Sequence, residues 1–98
     1  MKLVDLVEYQ QGSVVSRSLL NTANGSITLY AFDRDQELSE HALPDEAMIQ
    51  IVDGVAELTV SGATQRVEAG EMLLLPADRP HALRAIDRFK MLLTRIRS

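Results

Sequence analysis

Gly70-Glu71-Met72-Leu73-Leu74-Leu75-Pro76-Ala77-Asp78-Arg79-Pro80-His81 is the stretch on which the fold turns. A glycine precedes Met72-Leu73-Leu74-Leu75, an unbroken apolar run of the kind that fills a strand buried on both faces. Pro76 to Pro80 then makes a turn, because proline lacks the amide hydrogen that a central strand must donate. His81 opens the next strand, which runs to Ala85, and Phe89 to Ile96 supplies another.

Upstream, the same alternation of strand and turn continues. In Val55-Ala56-Glu57-Leu58-Thr59-Val60 polar residues alternate with apolar ones, the period of a half-buried strand. Ser61-Gly62 turns the chain and Thr64 to Glu68 returns; before them, Ala47 to Val52 reads as a strand that Asp53-Gly54 reverses. Val14 to Leu20 and Ser26 to Phe32 flank Asn21-Thr22-Ala23-Asn24-Gly25, where Asn-Gly offers the positive φ of a hairpin turn. Asp33 to Pro44 is polar and irregular and reads as a loop, and Leu3 to Tyr9 has room for no more than a short helical turn. Many short strands with turn signals at close intervals indicate an all-β sandwich or barrel.

The chain has 98 residues, the length of one domain, and no cysteine with which to staple it. With 46% hydrophobic residues and so little length, burying area against a second copy is the expected way to gain stability, so a homodimer is expected. A formal net charge of −4 repels phosphates and argues against a nucleic-acid partner. Arg79, Arg84, Arg88, Lys90, Arg95 and Arg97 do cluster late in the chain, and the ordinary reading of such a cluster is a solvated strand surface. No apolar run approaches the ~20 residues of a membrane span, so no membrane partner is expected. Asp5 interrupts what would be the apolar core of a leader, which leaves the cytoplasm as the default address.

The stretch from His41 to His81 resembles the cupin superfamily. In the family's second motif a Gly, a Pro, a second Gly and a His recur at fixed spacing; here Gly70, Pro76 and His81 fall at that spacing, and Asp78 replaces the second Gly. Asp tolerates the left-handed conformation better than most residues, so the turn survives the replacement. The first motif, anchored on Gly54, places the family's two histidines at His41 and Leu43 and its Glu at Ala47, so two of the usual ligand positions carry aliphatic side chains. The resemblance extends from about Gly25 to Thr94 and is to short, single-domain bacterial cupins of uncharacterised function. It implies a jelly-roll β-barrel spanning residues 1–98, with its core at about 25–94, and a dimer. It implies no reaction.

Periodicity gives an independent view of the same residues. Side chains two apart in a strand share a face, so His41 goes with Leu43, Ala47 with Ile49 and Ile51, and His81 with Leu83 and Ala85. If these faces meet, two imidazoles stand against an aliphatic wall, the usual form of a small-molecule site. A catalytic zinc, iron, manganese or nickel centre needs three or more protein ligands and an open position; His41 and His81 supply two. Gln50 has a weak ligand's chemistry but the opposite parity from Ala47, and Asp45 and Glu46, being adjacent, point oppositely. Without metal, two imidazoles can still hold or move a proton in a pocket. Tyr30 and Phe32 read as core aromatics, and Met48, Met72 and Met91 as gap-fillers. No serine sits in a nucleophile elbow and there is no Gly-rich phosphate loop, so no catalytic residue is assigned.

The leading expectation is a barrel that binds a small organic ligand through His41 and His81, lined by Leu43, Ala47, Ile49 and Leu83, with no cofactor required. One alternative is a metal-dependent oxygenase or isomerase with a sparse two-His centre. Another is a dimeric interaction domain, which expects a small or filled cavity.

Overall fold

The computed structural model describes residues 1–97. Eight strands make up nearly all of the regular structure: β1 (Val14–Thr22), β2 (Gly25–Phe32), β3 (Glu37–His41), β4 (Glu46–Val60), β5 (Ala63–Glu68), β6 (Met72–Leu75), β7 (His81–Arg84) and β8 (Phe89–Ile96). They form one antiparallel sheet in the order β1-β2-β8-β4-β7-β3, with β5 and β6 also paired to β4. The sheet curls on itself to enclose a single apolar interior, as a jelly-roll barrel does.

The curl originates within β4. Its first part, through Gly54, pairs with β6 and β8, and its second part, from Val55 on, pairs with β5 and β7. Asp53-Gly54, expected to reverse the chain, instead forms an irregularity within one 15-residue strand. The extra residue changes parity. Ala47, Ile49 and Ile51 are buried before it, Ala56 and Leu58 after it, so both halves present apolar side chains to the same interior. A straight strand would have turned one half inside out.

Three other expectations are corrected. Asp33 to Pro44 is not all loop, because β3 lies within it, a strand whose polar outer residues hid its period. In the β1–β2 hairpin neither Asn24 nor Gly25 takes a positive φ. Gly25 is needed for closeness instead: a Cβ there would lie 2.5 Å from the carbonyl oxygen of Arg95 on β8. Met72 and Leu74 on β6 are exposed, so the apolar run is buried on one face only, through Leu73 and Leu75.

The turns otherwise follow their chemistry. Ser61 and Gly62 both have positive φ and close the β4–β5 hairpin as a type I′ turn does. Asp78 adopts φ 65°, the left-handed conformation expected of it. Near the N-terminus Leu3–Asp5 is a single 3-10 turn, and the segment it begins lays Val7 over Leu29 and Ala31 on the outer face of the sheet. Tyr9 donates a hydrogen bond to Asp53 (2.5 Å), and Lys90 donates one to the Val4 carbonyl (2.5 Å). Among the described residues no helix is long and apolar enough to cross a membrane.

Candidate functional site

The end of β3 and the start of β7 lie side by side, and their register pairs His41 with His81 directly. That pairing depends on a register shift between Leu38 and His41, which brings the histidine opposite its counterpart. The two ring centroids are 4.4 Å apart with planes at 59°. Each ring is held by the backbone two residues before it: His41 Nδ1 lies 2.8 Å from the Ser39 carbonyl and His81 Nδ1 3.2 Å from the Arg79 carbonyl. A carbonyl only accepts, so these bonds select the tautomer protonated at Nδ1 and leave Nε2 of each ring as an acceptor. The turn that carries His81 is itself pinned, since the Asp78 amide donates to the Leu43 carbonyl at 2.8 Å.

The two rings differ in setting. His81 is buried and His41 is exposed at the rim. Burial lowers the His81 pKa below the usual histidine value; the Arg79 carbonyl opposes the shift and the nearby His41 adds to it. The consequence for stability has a definite sign. Between the lowered value and the ordinary one near 6.5 the unfolded chain binds the proton more readily, so stability rises with pH and is lost as pH falls below about 6.5. We therefore expect the urea midpoint to drop between pH 7 and pH 5.5, and to drop less in His81→Gln. Asp33, whose pKa is lowered by the Gly12 amide and then Arg88, and Asp87, whose pKa is lowered by Arg34 and then the Arg88 amide, act at more acid pH and leave this window clear. Equal slopes in the two proteins would refute the assignment.

Behind the imidazoles is a cavity of about 90 Å³. Five of the six expected positions line it: His41, Leu43, Ile49, His81 and Leu83. Ala47 does not. It is buried on the correct face, but in the register it stands between Leu75 and Arg95, and those longer side chains reach the cavity instead. Sequence reasoning also missed Tyr30, Leu38, Met91 and Leu93. The signal for part of that set was present: Phe89, Met91, Leu93 and Arg95 are spaced by two along β8 and share one face.

Arg95 is the main correction to the cation cluster. It lines the cavity with its side chain only 28% exposed, and its Nε and Nη2 donate to Asp45 Oδ2 at 3.0 and 2.6 Å. Lys90 is buried as well, capping the Val4 carbonyl, whereas Arg84 faces outward as its parity requires.

A metal does not fit this donor set. Among the described residues no group of three or more His, Cys, Asp or Glu side chains comes together. Leu43 and Ala47 bring no donor atoms, and Asp45, which would have to swing inward, is held by Arg95. Two imidazoles fall short of the three or more protein ligands that such centres use.

A family model described as the cupin domain matches residues 29–94. A conserved protein of unknown function from Streptococcus pyogenes superimposes with a TM-score of 0.96 at 36% identity, over 100% of this chain and 86% of its own. A cupin 2 conserved barrel domain protein from Leptotrichia buccalis gives 0.96 and 36%, over 99% of this chain, which spans only 47% of that one. A cupin superfamily protein from Desulfitobacterium hafniense gives 0.96 at 26%, over 100% of this chain and 90% of that one. Among curated proteins there is no match.

Proposed function

This chain belongs to the cupin domain family, and from that premise we propose that it is a small-molecule-binding barrel whose ligand is held by His41 and His81. The observation that carries the reading is the meeting of two imidazoles, 4.4 Å apart, on the wall of a largely aliphatic cavity that Arg95 and Tyr30 also line. Each ring has one nitrogen committed to a backbone carbonyl and the other unengaged, so the pair is oriented before any ligand arrives. Preorganised polar groups against an apolar wall discriminate by hydrogen bonding and shape together.

The cavity bounds the ligand's size. About 90 Å³ is well below the roughly 300–1,000 Å³ of sites for drug-sized molecules. It suits a ligand of roughly three to six non-hydrogen atoms, judged against the ~15–30 Å³ that one water takes up, depending on the measure. A thermal-shift screen of compounds of that size, run on wild type and on His81→Ala, tests the proposal. A ligand at about 100 times its Kd stabilises by roughly 2.7 kcal/mol, and that gain is expected in wild type and absent in the variant. Equal stabilisation of both proteins by every hit would sink it.

We propose further that the working unit is a homodimer joined through the outer face of the sheet. Leu74, Met48, Thr94, Ile27 and Leu20 form one uncharged row across β6, β4, β8, β2 and β1. Leu74 is 64% and Leu20 53% exposed at its two ends. A second copy of the chain is the occupant that matches it, because an uncharged row is complementary to itself under a two-fold axis. Leu74→Glu should give monomers in sedimentation at concentrations where wild type is dimeric; a monomeric wild type would overturn the proposal. The cytoplasm is the proposed address, in keeping with a chain that uses no cysteine.

A further inference from the structure

We propose that the ligand is a short aliphatic monocarboxylate, its carboxylate met by Arg95 and the two imidazoles and its alkyl part by the aliphatic wall. This rests on the small-molecule reading above and names the ligand class.

The polar end of the cavity is uniformly suited to an anion. The cavity's polar lining residues are Arg95, His41, His81 and Tyr30, and none of them is acidic. Asp45, the carboxylate nearest to this cluster in the bonding pattern, sits behind Arg95 and takes its Nε and Nη2. That contact fixes the guanidinium and leaves Nη1 with no hydrogen-bond partner among the described residues, a donor in a planar, preset orientation. Arg97 Nε lies 4.0 Å from the same Asp45 oxygen, so two guanidinium groups face one carboxylate and the local balance is positive. The chain as a whole carries −4, so this end of the cavity runs against the general field.

The imidazoles fit the same ligand. Two neutral rings accept at Nε2, and an arriving carboxylate favours the protonated form of a ring beside it, which then donates. Tyr30, which lines the same cavity, carries a hydroxyl that is a further donor. The remaining lining is aliphatic or thioether, with Ile49, Leu75, Leu83, Met91 and Leu93 prominent. It offers nothing to a second polar group at the ligand's other end. A dicarboxylate, a sugar or an amino acid would bury a polar group there without a partner.

Isobutyrate and its neutral isostere isobutyramide separate the possibilities, titrated by two-dimensional NMR in a buffer free of carboxylate and phosphate. Wild type is expected to bind isobutyrate at least tenfold more tightly than isobutyramide, with shifts centred on Leu38, Leu83, Met91 and Arg95. Arg95→Gln should bring the ratio near one, and Arg95→Lys should retain part of it. Should Arg95→Gln fail to fold, the ratio in wild type and in His81→Gln decides alone. Equal or tighter binding of the amide overturns the carboxylate assignment while the small-molecule reading stands. Isobutyrate shifts centred elsewhere overturn it too. If neither probe binds, and no neutral compound of similar size does, both proposals fall together.

Discussion

Gly54→Ala is expected to abolish the folded barrel at ordinary temperatures, the largest effect of any single methyl group in this chain. Gly54 has φ 76°, in the left-handed region, where a side chain costs about 1–2 kcal/mol. Steric overlap costs far more. A Cβ at this position would fall far inside van der Waals contact distance of the Arg88 carbonyl oxygen and lie 2.9 Å from both the Arg88 carbonyl carbon and the Phe89 Cα. All three are backbone atoms of the segment leading into β8, so no side chain can rotate away to make room. Relief requires β8 to separate from β4 at the point where β4 passes from one half of the sheet to the other. We expect a loss of more than about 4 kcal/mol, a large part of the 5–15 kcal/mol that holds a domain together. Gly62→Ala is the control. Its φ is 85° but nothing lies within 4 Å of the added methyl, so only the conformational cost of about 1–2 kcal/mol applies. Urea denaturation followed by circular dichroism distinguishes the two; similar midpoints would show that β8 yields easily and that the close approach is not structural.

The same glycine marks the limit of what could be read from sequence. Asp53-Gly54 carries the composition of a chain reversal, and local chemistry alone does not separate a turn from an in-strand bulge. The distinction was in the parity of the flanking apolar residues: Ile49 and Ile51 on odd numbers, Ala56 and Leu58 on even ones. A reversal has no need to switch parity, whereas a continuous strand that must keep facing one interior does. The strand set around Met72 to His81 was legible because proline and apolar runs are strong signals. β3 was not, since an edge strand with one inward apolar residue, Leu38, has no period to detect.

At the site, His41 and His81 were legible because they are the chain's only histidines and fall at motif positions. Arg95 was not, because a cation in a charged cluster reads as solvated until a partner is seen, and its partner Asp45 is far away in sequence. Ala47 failed for the converse reason: its face was assigned correctly, but face alone does not say whether a methyl reaches past longer neighbours.

Phe89→Ala should carry the next largest cost, about 3–5 kcal/mol. Phe89 and Phe32 are both fully buried, and they stack at the closed end of the barrel with centroids 4.5 Å apart and planes at 11°. They occupy facing register positions on β8 and β2, so the pair also ties these strands together. Moving from this floor toward the mouth, the inward residues of β8 change from Phe89 through Met91 and Leu93 to Arg95, from aromatic to aliphatic to charged. Truncation at the floor therefore removes packing without touching the polar groups at the mouth. The cost is expected to appear in the denaturation midpoint, and part of it in Phe32→Ala as well. A double-mutant cycle between the two should return a coupling of about 0.5–1.5 kcal/mol beyond the burial of each ring. His81 should keep its lowered pKa in Phe89→Ala, because the burial that lowers it, and the His41 ring that adds to it, lie at the other end. A His81 titration in Phe89→Ala that returned to the ordinary histidine value would mean that the floor orders the mouth, and that scaffold and site are not separable along β8.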